Sequence, residues 1–169
     1  MKVRVKVTER DFGYNRLLAS LFDGVQRIAV GLHAEDGAKI YEDPRHLGGA
    51  RQTEYTIGQI AQFNEFGLGV PERSWCRAWF EANKTKCVGI IHAKLKQVAH
   101  GDRDGAQVVL KQAAREILQS MIQNIESGTA FVPNASFTIE KKGSAIPLID
   151  TGQLLKSLKA SLNGQKITE

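Results

Sequence analysis

The residues best suited to chemistry are Asp150, four histidines and two cysteines. Asp150 stands in Leu148-Ile149-Asp150-Thr151-Gly152, and two apolar residues before Asp-Thr-Gly also mark the carboxylate of aspartic proteases. That chemistry needs two carboxyl groups facing each other and sharing one proton. A dimer could bring the second, but a flap hairpin and further strands must follow the motif, and 17 residues follow Gly152. Asp150 and Gln153 also have the spacing of a capping box, which accounts for the carboxylate without catalysis. The histidines are His33, His46, His92 and His100; the last two are eight residues apart, not the i, i+4 of a helical zinc pair. No Cys-x-x-Cys occurs. Cys76 and Cys87 lack a pattern that would pair either with a histidine and an acid, and one possible bridge is not a disulfide framework. They read as ordinary buried thiols of a cytoplasmic product. Gly48-Gly49, and Gly67 with Gly69, are not followed by the Gly-Lys-Ser/Thr of a phosphate loop. The expectation is a chain with no catalytic residue, no metal and no cofactor.

Nucleic acid is the stronger alternative. The formal net charge is +5 and the isoelectric point about 9.3, which permits contact with DNA without showing it. Lys84, Lys86, Lys94 and Lys96 dot one helical region and Lys141-Lys142 sit in a loop, but acids are interspersed and no DNA-reading motif is present. A solvated face is the simpler reading. Lys2, Arg4 and Lys6 alternate with Val3, Val5 and Val7, so a first strand would carry one apolar and one cationic face. That cationic face could line a path for DNA, meet an acidic partner, or simply be solvated, the simplest of the three; lysine on an edge strand also blocks unwanted pairing. The same alternation is too regular for a signal peptide, and no apolar run approaches the roughly 20 residues of a membrane span.

The elements that must hold these residues follow from periodicity. One domain is the default at 169 residues, and a chain of that size buries about two-thirds of its unfolded surface. Asp11 can cap a helix over 11–23, stopped by Gly24, and 25–32 reads as a strand. The stretch 34–55 has turn signals (Asp36-Gly37, Asp43-Pro44, Gly48-Gly49) and no helical period; Lys39-Ile40-Tyr41 and Thr53-Glu54-Tyr55 can pair as arms of a long hairpin. Thr56 and Gln59 have capping-box spacing before a short amphipathic helix, and Gly67 suits its left-handed end. Pro71 suits the first turn of a second helix over about 73–83, continuing to about 100, with Trp75, Ala78 and Trp79 as a stripe. Asp104 and Gln107 propose another cap for a long helix over about 104–127, apolar at Val109, Ala113, Ile117, Met121 and Ile125 and closed by Gly128. Its broad face predicts burial under a sheet on one side and against a helix or subunit on the other. The segment 129–149 reads as an extended loop with one helical turn near 138–142. Leu154-Leu155 then begins a helical turn that finishes as a strand through Leu158, Ala160 and Leu162, and the tail from Asn163 is expected to fray.

Two stretches of this chain resemble a known family. Ala61, Asn64-Glu65-Phe66-Gly67, Pro71, Arg73 and Trp75 are similar to the "A-x-x-N-E-F-G … I-P-x-R-P-F" signature of bacteriophage head–tail joining proteins, the tail-completion or neck proteins of long-tailed phages. Val70, Ser74 and Trp75 depart from it, standing for isoleucine, a second proline and phenylalanine. A second block follows in the family's order: Pro133-Asn134-Ala135, Thr138-Ile139, Lys142-Gly143-Ser144 and Pro147-Leu148-Ile149-Asp150-Thr151-Gly152-Gln153-Leu154. The likeness spans roughly residues 25–162. It implies an α+β fold, a small mostly antiparallel sheet with helices packed on one face. It also implies a structural virion protein without enzymatic activity, made in the host cytoplasm. Such proteins assemble as a ring, usually of six copies, joining the tail tube to the head connector and leaving a channel for passing DNA. The implied partners are further copies of the chain, the head connector or adaptor proteins, and the tail tube or tail terminator. The terminator role, capping the tube, is the near alternative; a DNA-binding packaging or regulatory protein is the alternative of another class. A closed ring uses head-to-tail contacts between two different patches. One patch is expected at Phe66, Leu68, Val70, Pro71 and Trp75. Phe131, Pro133, Ile146 and Pro147 of the 129–149 loop, with the 34–55 hairpin, are expected to reach a neighbour, and to order only on assembly, because fixing a loop costs about 1–2 kcal/mol per residue.

Overall fold

The computed structural model describes residues 26–43, 51–99 and 105–168. The expected first strand with Lys2, Arg4 and Lys6, the helix over 11–23, and His46, His100 and Asp104 lie outside these residues. The described elements run β1 (Ile28–Leu32), α1 (Ala34–Gly37), β2 (Ile40–Asp43), β3 (Arg51–Thr56), α2 (Ile57–Phe66), α3 (Arg77–Ala99), α4 (Ala106–Ser127), α5 (Ser136–Lys142), α6 (Gln153–Ser157), β4 (Leu158–Leu162) and β5 (Gln165–Lys166). The class is α+β, as the sequence predicts. The strands, however, form two antiparallel sheets: a three-stranded sheet in the order β1-β4-β5 and a two-stranded hairpin β2-β3.

Helix α4 is the spine. Its residues Val109, Ala113, Ile117, Met121 and Ile125, four apart, are all buried, and Met121 and Ile125 are among the largest fully enclosed side chains. Each such aliphatic side chain contributes about 1.5–3 kcal/mol of burial. Ala113 and Ala114 have no exposed surface; a small side chain there lets α4 lie close to its neighbours. One side of α4 packs on β1 and β4 and the other on α3, the two-sided burial that its broad apolar face predicts. Lys86 to Ser120 and Lys94 to Glu116 fix α3 and α4 as antiparallel neighbours. Gly128, at φ 65°, ends α4 as expected, but the start differs: Gly105 occupies the capping position without a side-chain cap, and Gln107 instead donates to Gln26.

β1 and β4 pair from Ile28 opposite Leu162 to Leu32 opposite Leu158. α6 leads directly into β4, the helix-to-strand change read from Leu154 to Leu162. The tail does not fray through Lys166. Gln165 and Lys166 pair with β4, Ile167 N–H donates to Ala160, and Arg115 reaches the Thr168 carbonyl. Lys166 anchors this end by meeting both Asp36 and Glu35 at 2.6 and 2.7 Å. Asp36 is the buried residue of a short helix and not part of the turn read from Asp36-Gly37. The expected hairpin exists, with Ile40 opposite Thr56 and Asp43 opposite Arg51. It docks on its own chain: Tyr41 Oη donates to Asp150 (2.8 Å), and Gln153 both donates to the Glu42 carbonyl and accepts from its N–H.

Candidate interaction surface

Thr56 opens α2 with the predicted capping box: its hydroxyl accepts from Gln59 N–H at 3.2 Å and its own N–H donates to the Gln59 amide at 2.8 Å. Gly67 closes the helix at φ 68°, ψ 34°. A Cβ there would lie 3.1–3.3 Å from Glu72, so both the dihedral and the space call for glycine. The chain then crosses 68–76 without regular structure. Pro71 is consequently not in a helix first turn, and Trp75 precedes α3 instead of forming a stripe within it. The irregular crossing persists because other groups satisfy its backbone. Arg73 N–H donates to the Asn64 carbonyl at 2.7 Å.

Glu65 is the hub of this elbow. It is buried, and its carboxylate accepts from Ser74 Oγ (2.8 Å), Cys76 N–H (3.0 Å) and Arg77 N–H (3.0 Å). It therefore caps α3 from the preceding helix, placing negative charge at a helix N-terminus. Ser74 Oγ accepts in turn from Ala78 N–H at 3.0 Å. That is a capping role the proline of the resembled signature has no hydroxyl to perform. The Trp75 indole donates to the Ala61 carbonyl at 3.1 Å, so its ring packs inward with Trp79.

Arg73 joins the two sequence blocks. Its buried guanidinium donates to the Val132 carbonyl (2.9 Å), the Asn134 side-chain oxygen (3.1 Å) and the Pro133 carbonyl (3.4 Å). Asn134 passes the link on to the Ala145 carbonyl at 3.2 Å. Burial lowers the Arg73 pKa from its ordinary value, and the carbonyl oxygens are what make a buried cation tolerable. The 129–149 loop is thus held by its own chain. Its helical turn is longer than expected, spanning Ser136–Lys142. Asp150 is not a helix cap, since Gly152 occupies that position at α6 and Asp150 instead takes the Tyr41 hydroxyl.

Outside the clamp, apolar residues stand exposed beside the Arg77–Glu72 ion pair (2.9 Å). Phe66, Leu68 and Val70 are 53%, 55% and 39% exposed, and Pro71 is exposed beside them. Arg77 lies 5.2 Å over the Phe66 ring, stiffening one side of this ridge. Pro133 and Ile146 are exposed as a contact patch requires. Trp75, Phe131 and Pro147 are not: all three are buried in the core, where the indole hydrogen bond and the Arg73-pinned loop draw them in. Phe80, Val88 and Val108 are also exposed on the long helices, and Val132 and Phe137 on the 129–149 segment, Phe137 76% exposed on α5. Phe137 had a signal: the residues three and four further on are Glu140 and Lys141, so it has no apolar neighbour on its helix face.

Of the groups suited to chemistry, Asp150 takes the Tyr41 hydroxyl, while His33 Nε2 is buried without a hydrogen-bond partner among the described residues. Cys76 and Cys87 are free thiols whose pKa burial raises, helped at Cys76 by the Glu65 carboxylate, so neither is poised as a thiolate. Lys84 pairs with Glu81 and Lys94 with Glu116. Among the described residues no three His, Cys, Asp or Glu groups gather as a metal site, and no helix is long and apolar enough to cross a membrane. Comparison with models of protein families, with curated proteins and with solved structures gave no match.

Proposed function

We propose that the chain is a structural subunit of a phage neck, assembling as a ring at the head–tail junction and leaving a channel for DNA. The observation that carries this reading is the ridge Phe66–Leu68–Val70–Pro71, left exposed on an elbow whose other side is fixed by Glu65, Arg73 and Trp75. An apolar ridge held on a rigid base is the form a permanent subunit contact takes. The resemblance of two ordered sequence blocks supports the reading, and the contact between Arg73 and Asn134 gives those blocks a common physical role. In this reading the ridge meets a different patch on the next copy, with Pro133 and Ile146 reaching the same neighbour or an adjacent ring. Partners above and below are the head connector and the tail tube, and the protein resides in the virion.

Deleting the gene from a phage that carries it tests the reading by electron microscopy of the lysate. Filled heads and separate finished tails are expected. Tails of uncontrolled length would move the assignment to a tail terminator, and intact virions would overturn both. The pairing of Lys84 and Lys94 with acids speaks against sequence-preferring DNA binding. A gel shift that survives 200 mM salt would restore that alternative.

A further inference from the structure

On the far side of α4 from α3's contact, a groove of about 780 Å³ opens between α4, α6, β4 and the C-terminal strand. Its floor is apolar: Leu118, Ile122 and Leu155 pack on the core from below and stay half-exposed above. Its rim is cationic. Arg115, Lys156, Lys159 and Lys166 line it, and no carboxylate does. Lys166 is neutralised by Asp36 and Glu35, whereas none of Arg115, Lys156 and Lys159 makes an ion pair among the described residues; Arg115 donates only to the Thr168 carbonyl. Uncompensated charge of one sign around a hollow apolar floor has a definite complement. A phosphate backbone would leave the floor uncovered, and a neutral apolar segment would bury the lysines unpaired at a cost. The volume lies within the roughly 300–1,000 Å³ of pockets that enclose a compact ligand or a few side chains.

We infer that this groove docks an acidic amphipathic segment of a partner protein, with leucine-like side chains on Leu118, Ile122 and Leu155 and carboxylates meeting Arg115, Lys156 and Lys159. None of these residues belongs to the exposed ridge, so failure here leaves the ring reading standing, and the reverse holds too. The probe is a fluorescent twelve-residue peptide alternating Leu-Leu with Glu-Glu, followed by anisotropy against the full chain at low and moderate salt. Saturable binding is expected. The double variant Lys156→Glu/Lys159→Glu, whose fold is checked by circular dichroism and melting, should weaken it at least tenfold. So should replacing the peptide's leucines with serine, which separates docking from bare charge attraction. The inference is overturned if the leucine and serine peptides bind alike, or if oligothymidylate competes better than the leucine peptide does. It is also overturned if the peptide fails to bind while sedimentation shows self-association that the double variant abolishes; the occupant is then a second copy.

Discussion

The elbow between α2 and α3 has two sides built on opposite terms. Inside, Glu65, Arg73 and Trp75 are buried and almost every polar atom meets a backbone partner: two N–H groups for Glu65, two carbonyls for Arg73, one for Trp75. Outside, Phe66, Leu68, Val70 and Pro71 are apolar and exposed, with only Arg77 laid over one of them, the Phe66 ring, among the described residues. Adjacent residues of one motif thus divide between holding and presenting. The difference teaches that the sequence pattern is economical about the fold: polar residues do the holding, so that apolar ones are free for contact. If that division is right, changes inside should cost stability heavily, and changes outside should leave the monomer nearly untouched.

The largest effect is expected at Trp75. Trp75→Ala removes a buried ring and its hydrogen bond to Ala61, and should lose about 3–5 kcal/mol in denaturant unfolding. A loss below about 1 kcal/mol would mean that the ring sits at the surface and belongs to the presenting side after all. Next comes Arg73→Ala, which strands the Val132 carbonyl and the Asn134 side chain and should cost about 2–3 kcal/mol. Arg73→Lys should recover little of it, because an ammonium cannot reach three oxygens in the guanidinium's fork geometry. Hydrogen exchange around Ala145 should quicken in both variants, since Asn134 hands the link on to that residue.

How far this division was legible in the sequence depends on the residue. Thr56, Gln59 and Gly67 declared themselves, because caps and left-handed ends are local chemistry and need no distant partner. So did the four-residue period of α4. Asp150 misled for the opposite reason. Its spacing to Gln153 is a cap's, but Tyr41, 109 residues away in sequence, competes for the carboxylate and wins. Pro71 misled too: Glu65 supplies the α3 cap from another helix, so α3 has no need to begin at the proline. Trp75, Phe131 and Pro147 read as contact residues because apolarity alone does not say which way a side chain faces; the Trp75 indole turns in to the Ala61 carbonyl, and Arg73 pins the loop beside Phe131 from 59 residues away.

A paired glycine test separates space from dihedral strain. Gly67 and Gly69 both have positive φ, 68° and 73°. At Gly67 an added Cβ meets Glu72, while at Gly69 it meets nothing within 4 Å. Gly69→Ala should cost about 1 kcal/mol of strain alone, and Gly67→Ala about 2 kcal/mol with a shifted ridge. Equal losses would show that the ridge is not seated against Glu72.

A second buried carboxylate supplies a control held by different means. Glu65 is satisfied mainly by backbone N–H groups, but Asp36 is satisfied by Lys166 first and Lys39 second, and these hold its pKa down to about 2. A lowered folded pKa means the stabilisation is complete above about pH 4 and drains away as the pH falls through 2. Asp36→Asn should therefore cost about 1–2 kcal/mol near neutrality, with the gap to the unaltered chain closing between pH 4 and 2. A gap that stays constant across that window would show that the lysine pairs contribute nothing to the fold.

The smallest effect on the monomer is the one that matters most for the contrast. Leu68 is more than half exposed and lies on the ridge, so Leu68→Ser removes little buried surface. Its unfolding free energy should move by less than about 0.5 kcal/mol, the range of ordinary surface changes. Assembly is another matter. In a six-membered ring each copy presents the ridge once, so one substitution alters every contact around the circle. A loss of about 2 kcal/mol per contact, typical of a residue at the centre of an interface, then acts six times over. If the proposed ring forms, native mass spectrometry at matched concentration should show it replaced by monomer in the variant, with the two proteins melting alike at a concentration too low for assembly. A variant that melts early and dissociates proves only a misfolded elbow; one that melts normally and still forms rings removes the ridge from the contact.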